Sequence, residues 1–154
     1  MLFLRQTLLS VCLILLCAYS YAQPIAGDNV VSGVPEDSPQ ILIDVLLDDE
    51  PGSGFALDPT SIVFIGPAVG GTFTLETGQV AFTPDLNFNG PASVQYQVSD
   101  TEPQQSNIAT IIVNVEPIND APIITSISDQ TIDEDGQTGV LSFTISDPDN
   151  PPAS

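Results

Sequence analysis

Apolar and polar residues alternate along much of this chain, as they do in strands that bury one face. In "SVQYQVSD", Val94, Tyr96 and Val98 fall on one face and polar residues fill the positions between them. No window carries a sustained helical period. The pattern therefore predicts an all-β chain.

A β-hairpin is predicted in "GTFTLETGQVAFTP". Phe73 and Leu75 on its first arm share a face with Val80 and Phe82 on its second arm. A turn near residues 77–78, where Thr is followed by Gly, joins the two arms.

Four further segments have the composition of strands, and "DNVVSGV" among them is predicted as a short edge strand interrupted by Gly33 and Pro35. The other three are "QILIDVLL", "SIVFIG" and "SNIATIIVNVE". About seven short strands separated by Pro, Gly, Asp and Asn are typical of a Greek-key, immunoglobulin-like β-sandwich. A lone meander or a barrel is the lesser alternative.

An internal repeat divides the chain. Aligning Pro24 with Pro122 also matches three further pairs without a gap: Ile25 with Ile123, Glu36 with Glu134, and Asp37 with Asp135. The offset of about 100 residues is the size of one sandwich domain. We therefore expect one complete repeat over 23–117, a linker over 118–122 and a truncated second repeat over 123–154. The chain would then be the N-terminal piece of a longer repeat protein, or a truncated reading frame.

The first 22 residues have the organisation of a secretory signal peptide. Arg5 lies in a short basic region, an apolar run follows, and Ser20 and Ala22 are small residues suited to cleavage after Ala22. An uncleaved membrane anchor is the alternative, but the apolar run is shorter than the ~20 residues of a comfortable span. A lipoprotein would need smaller residues than leucine just before Cys17. Secretion or display at the cell surface is therefore expected, without membrane insertion after cleavage.

Composition excludes several kinds of chemistry. The chain has 20 acidic residues, a single Arg and no Lys or His, and both cysteines precede the predicted cleavage site. The mature chain therefore lacks disulfides, thiolate or imidazole metal ligands, and the groups of Ser-His-Asp, Cys-His or Schiff-base catalysis. Nucleic acid is not expected as a partner, because no cation could neutralise phosphates.

The acidic residues gather in loops, and the predicted topology brings several of these loops to one junction between repeats. The residues expected to converge there are Glu36, Asp37, Asp85, Asn119, Asp120, Asp147 and Asp149. Carboxylate and amide oxygens suit Ca²⁺, which tolerates irregular geometry. For any single cluster, the alternative is a solvated acidic loop that maintains solubility.

The junction motifs resemble those of the cadherins. "PED" ends a strand, "IND" lies in the linker, and "SDPD" occurs in the second repeat, similar to the calcium motifs P-E-N, D-x-N-D-N and D-x-D. The chain is more similar to the bacterial cadherin-like repeats of secreted surface proteins. The motifs "NDAP", "EDG", "FTPDLNFNG" and "YQVSD" carry this second resemblance over nearly all of the mature chain.

The resemblance implies Ca²⁺ between successive sandwich domains, which stiffens an extended adhesin or surface fibre. Carried over, Glu36 would be the ligand at the end of the first strand, Asn119 and Asp120 the linker ligands, and Asp147 with Asp149 the D-x-D pair. Two differences from the cadherin motifs predict that fewer ions bind, or that they bind more weakly, than in an animal cadherin. The first Asp of the linker motif is missing, and Asp85 stands in place of an acidic segment.

Three functions follow from these observations. The first is a calcium-binding repeat of an adhesion or surface-fibre protein, with neighbouring repeats and another surface protein or a polysaccharide as partners. The second is a calcium-independent structural spacer of the same fold. The third is an enzyme, such as a glycosidase using Asp48 and Glu50. We expect no enzymatic activity, since zero Trp and one Tyr outside the predicted leader suggest no aromatic-lined cleft.

Overall fold

The first repeat forms seven strands. The computed structural model describes residues 22–102 and 104–149, so the predicted leader, apart from Ala22, lies outside the described residues. The strands are β1 (Asn29–Pro35), β2 (Ile41–Ile43), β3 (Leu57–Val69), β4 (Gly71–Glu76), β5 (Gln79–Pro84), β6 (Gly90–Asp100) and β7 (Ala109–Glu116). No helix occurs among the described residues, which confirms the predicted all-β class.

Two sheets build the sandwich. One has the order β1-β7-β6-β3 and the other the order β2-β5-β4. The chain changes sheets between β1 and β2, between β2 and β3, between β3 and β4, and again between β5 and β6. This connectivity gives the strand grouping of an immunoglobulin-like Greek key, with the first strand added in parallel to the last.

β1 contains a bulge at Gly33. Register along the parallel β1–β7 pair shifts between Ser32 and Val34, and Gly33 between them has a φ of 76°. A side chain is strained at such a φ, so glycine suits this bulge. The strand nevertheless continues to Pro35, which pairs with Glu116 at the last residue of β7. Both chains therefore leave the sheet side by side.

The hydrophobic core lies between the two sheets. Tyr96 is fully buried beside Val94 and Val98, so the alternation read from β6 is confirmed. From the other sheet, Phe82 and Phe73 occupy paired positions, with ring centroids 4.6 Å apart. The predicted hairpin is confirmed as well, with its turn at residues 77–78.

The segment "QILIDVLL" forms a shorter strand than its composition suggests. Only residues 41–43 pair with β5, and a turn follows. Val45 is buried, but its carbonyl accepts a hydrogen bond from Asn29 Nδ2 at 3.1 Å and lies 3.3 Å from the Tyr96 hydroxyl. Since side chains satisfy this carbonyl, the backbone does not continue the sheet ladder.

The segment after residue 122, predicted as the start of a second repeat, contributes two short strands, β8 (Ile123–Ile124) and β9 (Ile145–Ser146), which pair antiparallel. Their side chains are exposed, as is Phe143, because two strands of two residues cannot enclose a core. The turn at Asp135 has the geometry of the turn at Asp37. Both aspartates have a φ near 60°, and in each turn the following residue donates its N–H to the carbonyl two positions before the aspartate.

Candidate metal centre

Glu36 anchors the outgoing linker. It follows β1, only 2% of its surface is exposed, and its backbone N–H donates to Glu116 at 2.9 Å. Its Oε1 accepts the backbone N–H of Ile118 at 2.6 Å, and Oε2 accepts Asn89 Nδ2 at 3.4 Å. This placement follows from the parallel β1–β7 pair, which brings the two strand ends together.

Asp37 and Asn87 meet through a backbone contact. Asp37 Oδ1 accepts the backbone N–H of Asn87 at 2.9 Å. Both residues have a positive φ, 57° at Asp37 and 55° at Asn87. Asp and Asn tolerate this left-handed region better than other side chains, so the two turns can hold their oxygens at the same edge.

The Asn87 amide lies between two carboxylates. In one orientation of the amide, Nδ2 donates to Asp120 Oδ2 at 3.2 Å and to Asp37 Oδ2 at 3.3 Å. The opposite orientation would place Oδ1 against both carboxylates without a donor, so the amide lies with Nδ2 toward them. A neutral amide donor therefore satisfies both carboxylates at this point.

The "SDPD" segment contacts the segment predicted as a linker. Asp149 Oδ2 accepts the backbone N–H of Asp120 at 2.6 Å. Asp147 Oδ1 in turn accepts the backbone N–H of Asp149 at 3.0 Å, which fixes the direction of this turn. Asp149 therefore holds Asp120, and Asp147 orders the turn that presents Asp149.

The electrostatics at this edge are dominated by acidic neighbours. The pKa of Asp120 is raised above its ordinary value, first by partial desolvation and then by the carboxylates of Asp149, Asp37, Glu36 and Asp147, in that order. No basic side chain is present in the described chain to offset this concentration of negative charge.

Two of the seven predicted residues lie apart from these contacts. Asp85 uses its backbone in a turn, donating to Gly70 and accepting from Phe88, and its carboxylate makes no hydrogen bond within the described chain. Asn119 is exposed, and its Nδ2 donates to the carbonyl of Asp120 at 2.8 Å. Asn87 was not among the predicted residues. It lies in the same "TPDLNFNG" turn as Asp85, and its amide is the feature from which it could have been predicted.

The oxygens at this edge have the chemistry of a Ca²⁺ site without forming a finished ion cage. Within residues 22–102 and 104–149, no three acidic side chains are close enough together to form a metal cluster. The oxygens nevertheless come from carboxylates and an amide, the ligands that hard divalent cations prefer. Binding would therefore require the Asn87 amide to present its oxygen and the carboxylates to move inward.

A second polar group lies at the other end of the sandwich, inside the core. The Tyr96 hydroxyl is 3.0 Å from both oxygens of Asp49 and accepts a hydrogen bond from Asn29 Nδ2 at 3.1 Å. Gly27 donates its N–H to Asp49 Oδ1 at 2.7 Å. Burial raises the pKa of Asp49, with Asp48 adding to the effect, while the Gly27 and Tyr96 donors oppose it. Burial and the Asp49 carboxylate raise the pKa of Tyr96.

Comparison with known proteins gives one family and one structural likeness. Residues 22–114, more than half of the chain, match the family described as bacterial Ig domain. No curated protein matches the sequence. The structure of protocadherin gamma B7 extracellular cadherin domains 1–4 is 25% identical, with a TM-score of 0.45. That similarity covers 84% of this chain but only 33% of the protocadherin chain. Nowhere in the described residues is there a helix long and apolar enough to cross a bilayer.

Proposed function

The chain belongs to the bacterial Ig domain family, and we propose that it is a secreted repeat of an extracellular adhesion or surface-fibre protein that binds Ca²⁺ between repeats. The approach of the carboxylates of Asp149, Asp37, Glu36 and Asp147 to Asp120 carries this proposal. These acidic groups come from separate segments of the chain, and a bound cation would offset their repulsion.

The residues that would hold the ion come from both sides of the junction. Glu36, Asp37 and Asn87 belong to the first repeat, Asp120 to the linker, and Asp149 to the second repeat. Asp147 would act by positioning Asp149 through their hydrogen bond. Asn119 and Asp85 remain further oxygen ligands that a modest change in their turns could bring in.

The ion would supply positive charge and bridge the segments. It would offset the repulsion between Asp120 and its acidic neighbours, and it would restrict the angle between repeats. Without it, Asp149 contacts the linker through its single hydrogen bond with the Asp120 N–H. The proposed role is therefore mechanical, with neighbouring repeats as the first partners and a surface protein or polysaccharide as the target of the whole fibre.

Secretion is part of the proposal, with cleavage after Ala22. The apolar run with one arginine before it supports a signal peptide, and the acidic chain that follows suits an extracellular setting rich in Ca²⁺. The domain division proposed is the repeat over 23–117, the linker over 118–122 and the start of the second repeat over 123–154.

A calcium-independent spacer is the second candidate, and one observation favours it. With Nδ2 turned inward, Asn87 satisfies both neighbouring carboxylates by itself. The junction would then be held by hydrogen bonds alone.

Replacing Asn87 with Asp separates these two functions. Without Ca²⁺, Asn87→Asp should destabilise the protein, because a third carboxylate replaces the only donor between two others. With Ca²⁺, it should gain more stability than the wild type, because the ion meets an additional charged ligand. The measurement is thermal melting and calorimetric titration with Ca²⁺, with Mg²⁺ for comparison.

The expected magnitude follows from mass action. Extracellular calcium modules bind with dissociation constants of ~10⁻⁴ to 10⁻³ M. At ten times that concentration, one site stabilises the wild type by about 1.4 kcal/mol. Asn114→Asp is the matched control, since Asn114 is exposed on β7 and its side chain bonds to the Ser32 hydroxyl, away from the junction. An Asn87→Asp loss that is the same at every Ca²⁺ concentration would identify the spacer.

A further inference from the structure

The chain is held firmly just after Ala22. Pro24 is fully buried, and Ile25 exchanges two backbone hydrogen bonds of 2.8 Å with Glu50. Ala26 exchanges two hydrogen bonds of 2.9 Å with the Asn107 side chain. Gln23 is therefore one residue away from a segment that has almost no freedom to move.

Asp100 ends β6 with one oxygen unsatisfied. Only 2% of Asp100 is exposed. Its Oδ1 accepts the backbone N–H groups of Glu102 at 3.0 Å and Gln104 at 3.1 Å. Its Oδ2 is buried and has no hydrogen-bond partner in the described chain. A buried carboxylate oxygen without a donor is costly, and native proteins almost always supply one.

Asp100 Oδ2 and the carbonyl oxygen of Ala22 both lie close to Gly52. Asp100 Oδ2 lies 2.6 Å from the point where a Cβ on Gly52 would stand, and the Ala22 carbonyl oxygen is nearer still to that point. The two oxygens are therefore no more than about 5 Å apart. Both are acceptors, so the intact Ala22–Gln23 peptide bond offers its carbonyl to a carboxylate that needs a donor.

Cleavage of this bond removes the carbonyl acceptor and leaves a positively charged donor. A peptidase adds water across the Ala22–Gln23 amide, the acyl carbon leaves with the leader as a carboxylate, and the nitrogen stays on Gln23 as an ammonium. We propose that this new α-ammonium of Gln23 pairs with Asp100 Oδ2, so that removal of the leader supplies the donor that this oxygen lacks. The inference rests on the proposed cleavage after Ala22.

No other positive group of the mature chain could take this position. Arg5 is the only basic side chain in the sequence, and it leaves with the leader. The carboxylates nearest to the pair along the chain are Glu102, two residues from Asp100, and Glu50, which pairs with Ile25. Because residues 24–26 are already fixed, little further conformational freedom is lost when the ammonium meets Asp100.

The absence of lysine provides a direct test. In the mature chain the α-amine is the only amine that an N-hydroxysuccinimide ester can acylate. The protein is secreted through its own leader, its first residue is determined by intact mass, and acylation is followed at neutral pH. An ordinary α-amine has a pKa of about 7.7–8.0, and pairing that raises it by one unit leaves roughly tenfold less reactive free amine.

Three proteins are compared: the wild type, Asp100→Asn and the matched control Glu102→Gln. Asn keeps the oxygen that accepts the two turn N–H groups but removes the charge. We expect Asp100→Asn to react about tenfold faster than the wild type and Glu102→Gln to react at the wild-type rate. If Asp100→Asn does not fold, the wild type is compared in its folded and urea-unfolded states, with about tenfold protection expected in the fold.

The outcomes separate the inference from the function on which it rests. A chain that begins at Gln23 but is acylated equally fast in all three proteins overturns the ion pair and leaves secretion intact. A chain that begins elsewhere overturns both the cleavage site and the pair. A mass lower by one ammonia means that the amine has attacked its own side-chain amide to give a neutral lactam, which also overturns the pair. Calcium binding is measured separately and depends on none of these results.

Discussion

Glu36 Oε1 accepts the backbone N–H of Ile118 at 2.6 Å across 82 positions of sequence. The hydrogen bond joins the residue that follows the first strand to the linker that leaves the last strand. Glu36 thus sets the direction in which the chain leaves β7 toward β8. Its burial keeps water from replacing the bond.

Replacing Glu36 separates the contribution of this bond from that of its charge. Glu36→Ala should lower the free energy of unfolding by about 1–3 kcal/mol, because the Ile118 N–H loses its acceptor and a cavity remains. Glu36→Gln should lose much less, since it retains an acceptor and removes a charge that repels Asp120. Urea denaturation without Ca²⁺ measures both, and equal losses in the two variants would contradict a role for the acceptor.

Asp49 should make stability depend on acid pH. Burial raises its pKa above the ordinary 3.8, so the carboxyl is protonated more readily in the folded chain than in the unfolded one. The stability that it contributes is complete below the unfolded pKa and is lost as pH rises through the higher folded pKa. Asp49→Asn cannot ionise and keeps an acceptor for Gly27, so relative to the wild type it should become more stable as pH rises from about 3 to 7.

Urea denaturation at a series of pH values measures that difference. Asp44→Asn is the matched control, because it removes an exposed carboxylate next to β2. A difference between Asp49→Asn and the wild type that stays constant over the whole range would refute the prediction.

Tyr96 should control unfolding in alkali. Its pKa is raised by burial and by Asp49, so its stabilising contribution is present below the ordinary value of about 10 and is lost as pH rises through the folded value. After cleavage at Ala22, Tyr96 is the only tyrosine, and no lysine or cysteine titrates near it. Phenolate absorbance and circular dichroism should therefore change together above about pH 10.

The urea-unfolded protein provides the reference for that titration, since its phenol should ionise near the ordinary value of about 10. Phenolate that appears while the circular dichroism of the fold persists would show that Tyr96 ionises inside the native core, against this prediction.

The hairpin turn between β4 and β5 offers a stabilising substitution. Thr77 and Gly78 both have positive φ, 49° and 82°, as a type I′ turn requires. A β-branched side chain is strained there, whereas Asn is favoured before Gly. Thr77→Asn should raise the free energy of unfolding by about 1 kcal/mol in urea denaturation. Thr74→Asn, the same change at an exposed position on β4, should not stabilise; a gain of the same size there would contradict the turn argument.

The sequence predicted Asp85 as a ligand at the junction, whereas in the structure Asn87 lies there. Both lie in "TPDLNFNG", and charge alone favours Asp85 as a ligand. In the structure the backbone takes φ 55° at Asn87, and this left-handed turn directs its amide toward Asp37 and Asp120. Side-chain direction in a loop depends on such dihedrals, which residue type only partly restricts.

The sequence by itself determined the all-β class, the hairpin and the alternation of buried residues in β6. These features follow from short-range alternation and from residue type, so they do not depend on how the sheets meet. Only the tertiary structure placed the Asp49 carboxylate beside the Tyr96 hydroxyl and the Ala22 carbonyl near Asp100 Oδ2 at Gly52. It also placed the Ile118 N–H against the Glu36 carboxylate. Those contacts join segments between 47 and 82 positions apart, and only sheet pairing and core packing bring such segments together.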